Sequence, residues 1–229
     1  MKVSISYPDQ GFDSYRANRV KSLFNAERSN FSLEADLPIE GLDWKVGLIV
    51  GSSGSGKTSI GKSLFPGVEI KNLYEGWPDS KPIVDVIDPE GSFDGVTGLL
   101  AAVGLGDVPS WLKSFKTLSN GQQFRAGLAR ELAGSDPVFI IDEFTSVIDR
   151  QIAKIGALAF GKSMRRQPRQ CVLLSCHYDV IEWLQPDWVY DTDTGRFLGK
   201  SRSGGDLKSS FKSTRFPALT GSYLRSITI

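Results

Sequence analysis

The chain has 229 residues, with 27 Lys/Arg against 26 Asp/Glu, a formal net charge of +1 and 40% hydrophobic residues. That length suits one α/β domain with a tail, or at most two small domains, and the balanced charge gives no general attraction to a polyanion. No stretch approaches the ~20 apolar residues of a membrane span, and Met1 to Pro8 lacks the apolar core of a secretory signal, so direct membrane insertion is not expected and a cytoplasmic location is.

Lys2 to Tyr7 reads as a first strand, and Tyr15 to Ala26 as helical or irregular. From Phe31 to Ile39 apolar and polar positions alternate, as in a strand with one wet face, and Gly41 to Asp43 turns the chain. Val46 to Val50 is short, apolar and β-branched, the pattern of a buried parallel strand. It runs straight into Gly51, Ser52, Ser53, Gly54, Ser55, Gly56, Lys57, Thr58 and Ser59, which match the phosphate-loop pattern without substitution. Gly51, Gly54 and Gly56 let the backbone curl its N–H groups inward on a phosphate. Lys57 brings a cation to the β and γ oxygens, and Thr58 brings a hydroxyl for Mg²⁺. A helix starting at Lys57 aims its positive end at the same anion. A flexible Gly/Ser loop is the competing reading, and the preceding strand and following Lys-Thr argue against it.

That helix is expected to stop at Pro66 and Gly67. Beyond it come a strand near Val68 to Leu73, a Pro-interrupted run Ile83 to Ile87, a turn at Asp88-Pro-Glu-Gly and helices over Val96 to Val103 and Pro109 to Phe115. Ser119 and Gln122 fit a capping box ahead of a helix presenting Phe124, Leu128 and Leu132 on one face. The box accounts for those two residues and leaves Gly121 unexplained. Val138 to Ile141 is a second buried parallel strand, and Asp142 and Glu143 stand at its carboxyl end, on the ligand-binding edge of an open α/β sheet. An isolated Asp-Glu pair is more often a solvated helix start. A helix from Arg150 to Met164, a strand Cys171 to Ser175 and then His177, the only histidine, follow. Cys171 and Cys176 share one apolar run and read as small buried hydrophobes, with no metal or disulfide role. A hairpin is expected about Asp191 to Gly195. The folded domain is bounded at 1 to 198, and residues 199 to 229 carry six Lys/Arg against one Asp, as a basic, Ser-rich docking or unstructured tail would.

The order of these motifs resembles the ATP-binding-cassette ATPase family over roughly Phe31 to Tyr190. It is most similar to the soluble cassette ATPases fused to a GNAT-type acetyltransferase domain, on Asp142 to Arg150, Cys176 to Val180 and Trp183 to Tyr190. The resemblance implies an α/β P-loop NTPase of ABC type, with a mainly parallel sheet, flanking helices, a reduced helical insertion and an antiparallel edge. By the same resemblance Ser119, Gly121 and Gln122 belong to the signature motif, Asp142 holds Mg²⁺ with Thr58, and Glu143 polarises the attacking water. Asp149 matches the D-loop aspartate and His177 the switch histidine. Mg-ATP would then be bound and hydrolysed in a head-to-tail homodimer that drives a protein partner, an acetyltransferase among the candidates. A transporter nucleotide-binding subunit and a nucleic-acid-linked ATPase are the alternatives. No Gln lies between Gln10 and Gln122, so the family's Q-loop glutamine has no counterpart, and Asp88 is the nearest candidate. Phe24, with Phe31 behind it, is the expected adenine-stacking aromatic.

Overall fold

The structure, a computed structural model, describes residues 1–7, 12–24 and 31–199. Strand β1 (Lys2–Tyr7) and strand β2 (Phe31–Asp36) pair antiparallel as a two-stranded ribbon, with helix α1 (Tyr15–Phe24) between them in the chain. The main sheet has six strands. In spatial order they are β4 (Ile70–Lys71), β5 (Val138–Ile141), β6 (Gln170–Ser175), β3 (Val46–Val50), β7 (Trp188–Asp191) and β8 (Arg196–Gly199). All pairings are parallel except β7 with β8, the predicted hairpin at the edge.

All five residues of β3 are buried, so it reads as a continuous apolar run while its side chains still alternate between two cores. Val46, Leu48 and Val50 join one core with Phe139, Ile141 and Leu173, which is covered by helices α4 (Phe93–Ala102), α6 (Asn120–Ala133) and α7 (Arg150–Met164). Ile49 faces the other, with Ile140, Val172, Leu174 and Trp188, under helix α2 (Lys57–Leu64) and the β1–β2 ribbon. Each buried Val, Leu or Ile contributes about 1.5–3 kcal/mol, so this two-sided burial holds β3 in place and with it everything attached to its carboxyl end.

Between β4 and α6 the chain departs from its sequence-level reading. The strand expected at Val68 to Leu73 is only the two residues of β4, and Ile83–Val86 is one helical turn, α3. Helix α4 starts three residues earlier than the apolar pattern indicates, because the Ser92 hydroxyl accepts from the Gly95 N–H and caps it. The helix expected over Pro109 to Phe115 is a single turn, α5 (Val108–Trp111), followed by a 3₁₀ turn at Phe115–Thr117. The Asp88 turn forms as expected, with Gly91 N–H donating to Asp88 O. Helix α8 (Val180–Leu184) has no sequence-level counterpart. Buried Arg169 donates to the carbonyls of Glu131 and Asp136, satisfying the end of α6 and the approach to β5. Among the described residues no helix is long and apolar enough to cross a membrane.

Candidate functional site

Register assembles the site. Val50, the last residue of β3, aligns with Ser175 of β6 and with Asp191 of β7, so whatever follows these three strands gathers at one sheet edge. The phosphate loop follows β3, Cys176 and His177 follow β6, and the hairpin turn follows β7. One strand further, β5 delivers Asp142 and Glu143 to the same edge.

A cavity of about 330 Å³ opens there, lined by Ser53, Gly54, Gly56, Lys57, Thr58 and Ser59 on one side and by Asp142, Glu143, Ser146, Leu174, Ser175 and Cys176 on the other. Gly56, the N-cap of α2, is left-handed (φ 89°) and carries no side chain to cap the helix, which leaves the Lys57 and Thr58 amides for an anion. Thr58 Oγ1 donates to Asp142 Oδ2 at 2.8 Å, bridging loop and strand. Lys57 Nζ donates to Gly51 O at 2.8 Å and Ser52 O at 2.6 Å, spanning the mouth of the loop. Gly51, Ser52 and Ser55 do not line the cavity and face the β7–β8 turn instead.

Past β5 the chain bends sharply. Glu143 and Thr145 both take left-handed conformations (φ 51° and 71°), the second an outlier for a β-branched residue. Such strain costs about 1–3 kcal/mol and concentrates where geometry serves a site. Glu143 is exposed at the cavity, and its N–H donates to Asp142 Oδ1 at 2.8 Å.

His177 stands beside this cavity without lining it. Its Nδ1 lies 3.1 Å from Arg150 Nη1 and 3.3 Å from Thr145 Oγ1, and Arg150 is anchored in turn by Asp179. Burial, and then the Arg150 cation, hold its pKa below the ordinary value, against the opposing pull of Asp179. Ser119, Gly121, Gln122 and Asp149 lie away from this cavity. The capping box forms in full, with Gln122 Nε2 also donating to Asp107. Gly121 has a packing reason as well, since a Cβ there would fall 2.7 Å from Ile152 Cδ1. Asp149 is the exposed N-cap of α7, accepting from the Gln151 and Ile152 amides.

Cys176 corrects the sequence reading. Cys171 is buried, whereas Cys176 is exposed on the cavity wall because β6 has ended at Ser175. Asp88 lines a different cleft of about 720 Å³, with Lys71, Glu75 and Arg130, and does not reach the phosphate loop cavity. Phe24 is 76% exposed on α1; the Phe31 side chain lies outside the described part. Arg150, Tyr178, Asp191 and Asp193 were missed, because they act through contacts between distant segments that no local spacing encodes.

No family model matches the chain. It is 28% identical over 189 residues to the energy-coupling factor transporter ATP-binding protein EcfA1 of Levilactobacillus brevis, covering 67% of this chain and 66% of that one. It is 38% identical over 88 residues to the methionine import ATP-binding protein MetN of Escherichia coli K12, covering 38% of this chain and 25% of that one. The chain thus spans just under two thirds of the first relative's length and a quarter of the second's. The dimeric structure of MJ0796, a bacterial ABC transporter cassette, superposes with a TM-score of 0.57 at 14% identity over 87% of this chain and 98% of that chain. A post-hydrolysis dimer of MJ0796 bound to ADP and Pi gives 0.56 at 16% identity, over 76% and 94%. Relatives and solved structures agree with the motif order in supporting the ATP-binding-cassette family, and the fold of this chain is that of an ATP-binding cassette, a P-loop NTPase.

Proposed function

We propose that the chain binds Mg-ATP and hydrolyses it to ADP and phosphate. The observation that carries this reading is the Thr58–Asp142 hydrogen bond within one cavity that also holds Lys57, the glycine amides and Glu143. Among the described residues no group of three or more His, Cys, Asp and Glu could hold a metal. A hydroxyl paired with one carboxylate instead suits Mg²⁺, which takes one or two protein ligands and fills its shell from water and substrate phosphates. Bound there, Mg²⁺ neutralises charge on the phosphates. Lys57 and the α2 amides position the β and γ phosphates, and Glu143 accepts a hydrogen bond from the attacking water and aligns it. His177, its Nδ1 accepting from Arg150, carries its proton on Nε2, and the γ-phosphate contact is the role that the cassette resemblance assigns it.

The remaining motif residues, Ser119, Gly121, Gln122 and Asp149, serve the nucleotide of a second copy in a head-to-tail dimer. Their separation from the cavity of their own chain supports this, as do the dimeric cassettes of the same fold. The driven partner is a protein. The names of both sequence relatives favour a membrane transport protein as that partner over an acetyltransferase; recovery of the chain with membranes only when a permease is co-expressed would select that reading.

The test is phosphate release by the purified chain. It should require Mg²⁺ and fall by at least about a hundredfold in Glu143→Gln while ATP binding persists, as expected of a group acting on the transition state. Lys57→Ala should instead lose binding, since it deletes the cationic side chain of the cavity that faces the β and γ phosphates. Full turnover in Glu143→Gln, or unchanged affinity in Lys57→Ala by calorimetry, would defeat the assignment.

A further inference from the structure

The turn between β7 and β8 grips the phosphate loop from behind. Asp193 accepts from the Ser52 N–H (2.9 Å to Oδ2) and from Ser52 Oγ (2.7 Å to Oδ1). Next to it, Thr192 Oγ1 lies 2.6 Å from Ser55 Oγ, and the Thr192 N–H and hydroxyl both donate to Val50 O. The approach is so close that a Cβ on Gly51, whose φ is 151°, would fall 1.9 Å from Thr192 Oγ1. Glycine is therefore required at Gly51 by both backbone conformation and the turn.

The gripping carboxylate is itself oriented. Tyr178 OH lies 2.9 Å from Asp191 Oδ1 and 3.1 Å from Asp193 Oδ2, so its one proton serves both. Buried Asp191 also accepts from the Asp193 N–H and from Thr194 Oγ1. Tyr178 directly follows His177, so these bonds join the end of β6 to the phosphate loop across β3 and β7.

We propose that Asp193, oriented by Tyr178, is a positioning residue that holds the phosphate loop in its nucleotide-binding shape before nucleotide arrives. The proposal rests on the nucleotide-binding reading of the loop. A segment composed of glycine and serine between Gly51 and Gly56 has much conformational freedom to lose on binding, and a brace on its outer face removes that loss from the binding step. Ser52 makes this possible because it does not line the cavity, so its amide can be held without competing for phosphate. The negative charge of Asp193 would by itself oppose an anionic ligand. Bracing and charge therefore predict opposite effects when the carboxylate is removed.

The experiment compares the unsubstituted chain with Asp193→Ala, Asp193→Asn and Tyr178→Phe, measuring ATP affinity by calorimetry and deuterium uptake of the 51–56 backbone without nucleotide. Asp193→Ala should speed exchange in that segment and raise the Kd for ATP about tenfold, as for loss of a hydrogen bond to a charged group. Asp193→Asn keeps an acceptor for the Ser52 amide and should stay within about threefold of the unsubstituted chain, a difference under the ~1.4 kcal/mol of a tenfold change. Tyr178→Phe, which loses only the hydroxyl, should shift both readouts the same way as Asp193→Ala and serves in its place if that variant does not fold. Tighter ATP binding in Asp193→Ala, unchanged exchange, or an Asp193→Asn loss equal to that of Asp193→Ala would each overturn the proposal. If the unsubstituted chain binds no ATP, the functional reading fails while exchange at 51–56 still decides whether Asp193 holds the loop.

Discussion

His177 takes its tautomer from a neighbour. A guanidinium can only donate, so the 3.1 Å contact from Arg150 Nη1 makes Nδ1 an acceptor and puts the imidazole proton on Nε2. Protonating that ring would strip water from an imidazolium in a partly buried place and also set it against Arg150, which is why its pKa is depressed. The sign for stability follows. With the folded pKa below the unfolded value of about 6.5, the unfolded chain binds the proton first, so stability is full above that pH and declines as pH falls toward the folded pKa. Arg150→Met removes both the cation and the donor and leaves Asp179 without its guanidinium partner beside the ring. The imidazole should then titrate at higher pH, by NMR, with slower ATP turnover near neutrality. An unmoved titration curve would show that Arg150 does not set the state of His177.

Helices α6 and α7 approach closely at two glycines, and that closeness ties together two motifs that are far apart in the chain. Gly121 in the first turn of α6 abuts Ile152 in the first turn of α7, and Gly156 of α7 admits the Phe124 ring of α6, where a Cβ would fall 2.4 Å from Cε1. The start of α7 is fixed in turn by the Asp149 cap, so the Ser119 region and the Asp149 region are tied through the Gly121–Ile152 contact. Gly121→Ala should destabilise the protein by about 1–3 kcal/mol in urea unfolding, the cost of overpacking. Combining it with Ile152→Ala should recover part of that loss, because the two substitutions share one contact and cannot be additive. Additive losses would mean the glycine is needed for something other than Ile152. Asp149→Ala should cost about 1 kcal/mol through the lost cap alone, so its effect on activity must be read beyond that stability change.

At the scale of the molecule, the phosphate cavity and the Ser119 loop lie apart on one chain, and a two-fold pair would bring each loop to the other's nucleotide. ATP bridging two chains should bind the dimer better than the monomer and stabilise it by linkage. Glu143→Gln, which blocks hydrolysis, is therefore expected to accumulate an ATP-bound dimer by light scattering at tens of micromolar, and adding Ser119→Arg should return it to monomer. A Glu143→Gln chain that binds ATP yet stays monomeric would defeat the head-to-tail arrangement. Residues 200–229 lie outside the described part, and deleting 205–229 should leave the melting temperature and ATP binding intact if the ATPase domain ends near Gly199.

The sequence by itself determined the parallel strands β3, β5 and β6, the bounds of α7, the edge hairpin and the place of Gly51 to Ser59, Asp142 and Glu143. Each of these is written locally, as an apolar run of strand length, a cap residue or a glycine-dense loop. It was weak from Val68 to Phe115, where short helices are stabilised by burial against α6 and α7 and carry little periodicity of their own. Only the tertiary structure decided that Cys176 is exposed, that Gly121 packs on Ile152, that Arg150 lies against His177, and that Asp193 and Tyr178 stand behind the phosphate loop. These depend on which strands are neighbours and in what register. Val50 meeting both Ser175 and Asp191 is a property of the folded sheet, stabilised by the burial of side chains more than a hundred residues apart, and no spacing along the chain encodes it.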